Sequence, residues 1–474
     1  ALLDKNKGEK GKKTFFLRHE VFSKHEKRTK KNMANILAIV GRPNVGKSTL
    51  FNRLTQTRQA IVDSVSGVTR DRHYGKCDWN GLEFSVIDTG GYVRGSDDIF
   101  EDEIAKQVHL AIDEASVILL MTDAQSGVTA MDQEVAQILR RSKKHVLLAV
   151  NKVDSSIHEP FTADFYSLGL GAPYSVSAIN GSGTGEILDT VVEFFRRDEA
   201  EQPSEQADPS EKALPRFAIV GRPNVGKSSL TNRLTNNDRS IVSDVAGTTR
   251  DAIDTVVVHD GKKYRIVDTA GLRRKSQIDQ DVEYYGFVRA MRAIDRADVA
   301  LLVIDGTLGL TNEDQRVAGY AAERGCAMVI VLNKWDIVEG PEAKEKIRER
   351  IEDRMTFVGY APVVAISALT GKRVDRIWGA IDDVYANYSR TIPTARLNTW
   401  LAGIRETGHT VSKGKAVLRM KYLTQTGTCP PHFTFFVNRP DVVDDNYERY
   451  LENRMREAFP LEGTPIRLKF KKKD

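Results

Sequence analysis

The 474-residue sequence predicts an α/β chain: two doubly wound domains with mostly parallel sheets, followed by a small α+β domain. Three observations carry this. First, Gly41-Arg-Pro-Asn-Val-Gly-Lys-Ser48 recurs letter for letter as Gly221-Arg-Pro-Asn-Val-Gly-Lys-Ser228, 180 residues on (221 − 41). Second, short apolar runs alternate with helix-period segments through both halves and lose that rhythm after residue 390. Third, charge is segregated. Residues 1–32 hold 11 Lys/Arg against 4 Asp/Glu and residues 390–474 hold 16 against 9. Each end is therefore +7, which leaves −9 for the stretch between in a chain of net charge +5. A basic end is the electrostatic footprint of a phosphate-backbone binder.

Residues 1–33 read as a basic, disordered extension, with few apolar residues and no helical period. Met33 stands just ahead of the first apolar run, so two readings stay open: a native extension, or a natural start at Met33. The first domain spans 34–197, with strands expected at Leu37–Val40, Phe84–Ile87, Val117–Met121, His145–Val150 and Tyr174–Val176. Residues 198–215, rich in Glu, Asp, Gln, Ser and Pro, read as an acidic flexible linker. The second domain, 216–389, repeats the plan with Phe217–Val220, Tyr264–Val267, Val299–Ile304, Met328–Leu332 and Val363–Ile366. Residues 390–474 form the third domain: a helix Leu397–Ile404, strands at Ala416–Leu423 and Phe433–Val437, a helix Asp445–Ala458 and a last strand Pro465–Phe470. No linker separates the second and third domains, so those two are expected to dock tightly. No apolar run reaches membrane length and no signal peptide is visible, which predicts a cytoplasmic protein with no membrane partner. Cys77, Cys326 and Cys429 are odd in number and far apart, so they read as structural thiols in a reducing compartment.

The repeated octapeptide sits between an apolar run and a helical segment each time, the context of a phosphate-binding loop. Gly41, Gly46, Gly221 and Gly226 let the backbone turn its N–H groups toward phosphate oxygens. Arg42, Pro43, Asn44 and Val45, with Arg222, Pro223, Asn224 and Val225, complete the two cradles. Lys47 and Lys227 place a charge on the β- and γ-phosphates, and Ser48 and Ser228 offer hydroxyls to Mg²⁺. Four further motifs follow each loop in the same order. Gly67-Val-Thr-Arg-Asp71 matches Gly247-Thr-Thr-Arg-Asp251, and Asp88-Thr89-Gly90-Gly91 matches Asp268-Thr269-Ala270-Gly271. Asn151-Lys152-Val153-Asp154 matches Asn333-Lys334-Trp335-Asp336, and Ser177-Ala178 matches Ser367-Ala368. Asp154 and Asp336 can accept from both N1–H and N2–H₂ of guanine, a donor pair that adenine lacks. Lys152 and Lys334 can lay their stems on the base, and the Ser-Ala pairs can offer N–H to guanine O6. Thr69 and Thr249 are expected at Mg²⁺ and the γ-phosphate, with Asp88 and Asp268 as further Mg²⁺ ligands. Gly91 and Gly271 are expected to donate N–H to the γ-phosphate, so that its loss releases both loops. The ligand is therefore GTP or GDP with Mg²⁺, and the catalytic set is Lys47, Thr69, Gly91, Lys227, Thr249 and Gly271.

The tandem loops, each with DTxG and NKxD, resemble the Der (EngA) family of bacterial GTPases. Tyr422-Leu-Thr-Gln-Thr426, Pro430-Pro431, Phe436-Val-Asn-Arg-Pro440 and Tyr450-Leu-Glu-Asn-Arg454 look like that family's KH-like domain. The resemblance covers about residues 34–474. It implies a monomeric, nucleotide-gated factor that binds the large (50S) ribosomal subunit or its precursors, and their rRNA, during assembly. The residue after DxxG is Tyr92 in one unit and Leu272 in the other, and neither can orient a water. Slow intrinsic hydrolysis is therefore expected. In similar GTPases an Asn at the position of Asn44 and Asn224 helps hold a K⁺ that supplies the missing charge, so K⁺-stimulated hydrolysis is implied; the other reading is an Asn chosen for loop geometry. The third domain has no G-x-x-G tetrapeptide, the clamp of RNA-binding KH domains. Its candidates for rRNA phosphates are Arg396, Lys413, Lys415, Arg419, Lys421 and Lys471–Lys473. The competing reading is a GTPase coupled to tRNA modification or metal delivery, which would need a catalytic or transport module beside one G domain.

Overall fold

The computed structural model describes residues 35–56, 74–89, 108–109, 111–112, 115–154, 156–201, 214–235, 241–245, 254–269, 282–406, 412–413 and 416–472. The basic extension expected at 1–33 lies outside the described residues.

The first unit has strands β1 (Ile36–Val40), β2 (Tyr74–Trp79), β3 (Leu82–Asp88), β4 (Val117–Asp123), β5 (His145–Asn151) and β6 (Tyr174–Ser175). Its described helices are α1 (Lys47–Gln56), α2 (Ala130–Arg141) and α3 (Thr184–Glu201). The sheet order is β2-β3-β1-β4-β5-β6, parallel except for the β2–β3 hairpin at the edge. Along β1, Leu37 and Ile39 pack into one apolar cluster while Ile36, Ala38 and Val40 pack into the other. Helices cover both faces, so every position of β1 and β4 is buried and the strands read as continuous apolar runs.

The second unit repeats the layout with β7 (Arg216–Val220), β8 (Ile241–Val245), β9 (Asp254–His259), β10 (Lys262–Val267), β11 (Val299–Asp305), β12 (Ala327–Asn333) and β13 (Val363–Ala365). Its helices are α4 (Lys227–Thr235), α5 (Val282–Arg296), α6 (Asn312–Glu323), α7 (Pro341–Arg354) and α8 (Arg376–Tyr388). The order β13-β12-β11-β7-β10-β9-β8 adds a second antiparallel edge strand. The third unit has α9 (Thr394–Glu406), a short ribbon of β14 (Ser412–Lys413) with β15 (Ala416–Val417), then β16 (Met420–Gly427), β17 (His432–Val437), α10 (Asp445–Ala458) and β18 (Arg467–Lys472). Its main sheet runs β16-β17-β18 over a core that includes Leu401, Phe433, Phe435 and Leu451.

Several details depart from the sequence reading: β2, β8 and β9 were not expected, and the strand expected over Ala416–Leu423 is divided between β15 and β16. Residues 198–201, placed in the linker by the sequence reading, belong to α3, which continues through Glu201; residues 202–213 of the expected linker lie outside the described residues. His145 explains the extension: its ring stacks on Phe194 at 4.3 Å and bonds Asp198 at 3.2 Å, which holds the last turns on the domain. The final strand begins two residues later than expected, at Arg467.

The second and third units are joined by direct backbone bonds. Met328 donates to Gly463 O (2.8 Å), Gly463 to Tyr360 O (2.7 Å) and Cys429 to Tyr388 O (3.0 Å). Arg456 also lies over the Tyr360 ring at 4.4 Å. The first unit meets the second through its edge hairpin: Arg324 donates to Glu83 (3.0 Å), Lys76 pairs with Glu323, and Lys76 sits over the Tyr320 ring at 5.7 Å. Cys77 and Cys326 are buried thiols outside any disulfide, and burial pushes the Cys77 thiol up to about 12. Among the described residues no helix is long and apolar enough to cross a membrane.

Candidate functional site

Each phosphate-binding loop leaves the C-terminal end of a central strand, β1 or β7, and leads into α1 or α4. Gly41 has φ +143° and Gly46 φ +98°; a Cβ on the first would strike the Met121 carbonyl oxygen, and one on the second the Asn151 amide. The second loop repeats both angles and both collisions, against Val303 and Asn333. Asn44 and Asn224 are left-handed as well, with φ of 64° and 62°. Asn tolerates that region, so loop geometry alone accounts for part of the choice.

Inside the loop, Lys47 Nζ donates to the carbonyls of Gly41 and Arg42, both at 2.7 Å. Lys227 Nζ does the same to Arg222 O at 2.5 Å. Burial lowers each amine to about 8. A lysine held in this way is a cation bonded to neutral carbonyls, with Asp88 or Asp314 offsetting only part of its burial, and a phosphate would supply a direct counter-charge. Ser48 Oγ donates to Asp88 Oδ2 at 2.6 Å, and Asp88 is fully buried. Two hard oxygen donors converging beside the lysine suit Mg²⁺, which takes few protein ligands and completes its shell with phosphate and water.

The base end is built by the strands after the loop. Asn151 Nδ2 donates to Val45 O (2.7 Å) and its Oδ1 accepts from Ala178 N–H (2.8 Å); Asn333 makes the same pair to Val225 O (2.7 Å) and Ala368 N–H (2.8 Å). These buried amides therefore staple the phosphate loop to the base loop. The Ser-Ala N–H groups differ from expectation. Ser177 N–H bonds Ser182 O (3.0 Å) and Ala178 N–H is taken by Asn151, so guanine O6 would have to compete for it. Ser177 Oγ donates to Asp154 Oδ1 at 2.5 Å and orients that carboxylate.

Two pairs of residues were missed by the sequence reading. Asp123 accepts from Lys152 Nζ (2.6 Å) and Asp305 from Lys334 Nζ (2.5 Å), which aims each lysine stem along the base slot. Burial opposes ionisation of Asp305, but hydrogen bonds from Lys334 and Thr307 win and hold its carboxyl below the usual carboxylate range. Asp132 and Asp314 each close a capping box, with Thr129 on α2 and Thr311 on α6, and lie 3.5 Å from Arg42 and Arg222 of the loops. The available signal was repetition: all four positions recur at a shift of 182 (123 to 305, 132 to 314). Thr69, Gly90, Gly91, Tyr92, Thr249, Ala270, Gly271 and Leu272 lie outside the described residues.

The lysine environment makes nucleotide affinity depend on pH. Phosphate gives the amine a counter-charge, so its pKa is higher in the complex than the value near 8 in the free loop. Below that pH the lysine is charged in both states and affinity is flat. Above it the free amine is neutral and must take up a proton on binding, so affinity falls by up to about tenfold per pH unit at each site. Calorimetry of GDP binding in buffers of different ionisation enthalpy, between pH about 8 and about 9, should register proton uptake. Flat affinity with no uptake would contradict the lysine assignment.

Comparison with known proteins agrees with this geometry. The family model described as 50S ribosome-binding GTPase matches residues 36–152 and again 216–334. The model described as the C-terminal KH-domain-like region of EngA bacterial GTPase enzymes matches residues 391–471. The protein named GTPase Der of Flavobacterium johnsoniae is 50% identical over 445 residues, covering 93% of this chain and 99% of that protein. GTPase Der of Flavobacterium psychrophilum is 50% identical over 448 residues, covering 93% and 100%. Among solved structures, the FeoB G-domain of Methanococcus jannaschii is similar at 23% identity and a TM-score of 0.26, covering 35% of this chain and 99% of that one. With two GTP-binding units and the KH-like unit each matched, the chain belongs to the Der (EngA) family of GTPases.

Proposed function

We propose that this GTPase is a cytoplasmic, monomeric factor whose two nucleotide sites gate its association with the large (50S) ribosomal subunit or its precursors. The observation that carries the reading is strand β18. Arg467, Lys469, Lys471 and Lys472 are exposed along it, while Leu468 and Phe470 turn partly inward. Arg467, Lys469 and Lys471 share one face of the strand, Arg467 donating to the Ala322 carbonyl of the second unit, and the lysine row beside it suits rRNA phosphates. The domain that bears the row is hydrogen-bonded into the second G domain, so a nucleotide-driven movement of that domain moves the basic face with it.

In this reading Lys47 and Lys227 hold the β- and γ-phosphates, and Ser48 with Asp88 and Ser228 with Asp268 hold Mg²⁺. Thr69, Thr249, Gly91 and Gly271 sense the γ-phosphate, and Asp154 and Asp336 select guanine. Mg²⁺ neutralises charge on the phosphates, while the chain's own groups bind and orient them. Asn44 and Asn224 hold a K⁺ that stimulates hydrolysis. Co-sedimentation of the full chain with 50S particles tests the function. Binding is expected with a non-hydrolysable GTP analogue and weaker binding with GDP. Equal recovery with both nucleotides, or none with either, would overturn the proposal.

A further inference from the structure

The two base ends are not equivalent. Beside Asp336 and Ser367 the second unit opens a cleft of about 390 Å³, rimmed by Lys344 and Arg348 of α7 and by Lys372 and Arg373 of the base loop. Its acidic lining residues are Asp336, which faces guanine in the proposed reading, and Glu345. Arg348 also lies over the ring of Trp335, which is nearly buried, at 5.9 Å. Lys372, Arg373 and Arg348 are exposed and Lys344 half-buried, so four cations line an open surface cleft rather than a closed cavity.

The first unit lacks this rim. Its base loop runs Ser177-Ala-Ile-Asn-Gly-Ser182-Gly183, where the second runs Ser367-Ala-Leu-Thr-Gly-Lys372-Arg373. The 3₁₀ segment Ser156–Leu168, which stands where α7 stands, carries no Lys or Arg. Backbone conformation sharpens the contrast. Gly183 has φ +71°, where a Cβ would strike the Ser175 carbonyl oxygen, and Arg373 adopts φ +62° at the matching place. A long cationic side chain kept at a position that suits glycine is an outlier of the kind that accompanies function.

We infer that this cleft is a phosphate site for an RNA strand, set against the guanine end of the second nucleotide site only. The inference rests on the RNA-binding reading above and adds a second contact, remote in sequence from β18. Small-molecule sites are mostly apolar and enclosed, whereas an exposed ring of cations suits a polyanion backbone. The contact would also bear on nucleotide, because the Lys372 carbonyl accepts from Ser367 N–H at 3.0 Å and so belongs to the turn that positions Ser367-Ala368.

The test is the double variant Lys372→Ser with Arg373→Gly, which writes the first unit's residues into a backbone that already accommodates glycine. Binding of a fluorescent single-stranded RNA of about a dozen nucleotides to the full GDP-loaded chain is followed by anisotropy over a range of salt. The variant should bind about tenfold more weakly at low salt, and its log–log salt slope should fall by about 1.4, the value for two lost phosphate contacts. GDP affinity without RNA is read in the same samples, and Lys344→Ala, which lies outside the base loop, should leave it within about twofold. Lys344→Ala should weaken RNA binding, whereas Lys346→Ala, which removes the same charge from α7 outside the cleft, should not. Wild-type RNA affinity and slope in the double variant would overturn the inference while leaving 50S association standing. Equal losses from Lys344→Ala and Lys346→Ala would reduce it to general surface charge. Competition by millimolar inorganic phosphate without any effect of the variants on RNA would also overturn it, since the cleft would then take a free anion. Loss of RNA binding in the variant of a chain that never sediments with 50S would instead sink the ribosomal reading and keep this one.

Discussion

Asp154→Asn and Asp336→Asn should each lower guanine-nucleotide affinity by about three orders of magnitude at its own site and leave the other site unchanged. The carboxylate offers two acceptors to the N1–H and N2–H₂ donors of guanine. An amide keeps one acceptor and turns an N–H₂ toward the N2 amine, so a donor faces a donor. Xanthine carries a carbonyl at that position and an N1–H beside it, so each variant should gain affinity for xanthosine nucleotides as it loses guanine. In the first site Ser177 Oγ already holds Asp154 Oδ1, and an amide oriented with its oxygen there would present its N–H₂ to the base. Equilibrium titration with fluorescent GDP and xanthosine diphosphate would read this as two stoichiometric classes becoming one. Retained guanine affinity in both variants would remove the two aspartates from the base site. Because the substitutions act separately, they also allow each site's turnover to be measured within the intact chain.

What was legible in the sequence was whatever repeats or is buried on both faces. The central strands β1, β4, β5, β11 and β12 are nearly or fully buried along their length, so their apolar runs stand out from the helices around them. The edge strands do not. β2 reads Tyr-Gly-Lys-Cys-Asp-Trp, an antiparallel edge partner of β3 in which Cys77 is buried, Lys76 and Trp79 half-buried and Asp78 exposed, and no period distinguishes it from a loop. β8 and β9 were missed for another reason: they add antiparallel strands outside the β-α alternation that marks the parallel centre, and β9 is buried nearly throughout. At the site, loop residues were found because their chemistry needs particular residue types at fixed spacing. Asp123, Asp132, Asp305 and Asp314 were not, because they act through Lys152, Arg42, Lys334 and Arg222 and belong to no familiar tetrapeptide. Only comparing the two halves with each other would have exposed them.

The edge hairpin also gives the missed Arg–Asp pairs a place in the larger arrangement. β2 follows the Gly67–Asp71 segment and β3 ends on Asp88, so the hairpin that touches Glu323 and Arg324 connects two segments expected to respond to the γ-phosphate. α6 ends at Glu323, and its first turn holds Asp314 against Arg222 of the other loop. One helix thus bridges the switch strands of the first site and the phosphate loop of the second. Such a bridge is a contiguous physical route between the two sites.

Asn44→Gly and Asn224→Gly should abolish the response to K⁺ without unfolding the loop, lowering the rate in KCl on the order of 10²-fold to the rate in NaCl. The reasoning turns on φ. Both asparagines are left-handed, at 64° and 62°, and glycine adopts that region at no steric cost. Alanine would confound two effects, because its Cβ strains the loop while the amide oxygen is lost. Glycine removes the side chain, amide oxygen included, without straining the backbone. Two readings of the same residue therefore separate. If asparagine is present for geometry only, the glycine variants keep K⁺ stimulation and nucleotide affinity. If the amide oxygen helps hold the ion that takes the place of a stabilising arginine, they keep GDP affinity and lose the difference between KCl and NaCl. Neither Tyr92 nor Leu272 can orient a water as glutamine does. Single-turnover GTP hydrolysis in each salt, for each variant separately, decides between them and reports which of the two sites uses the ion.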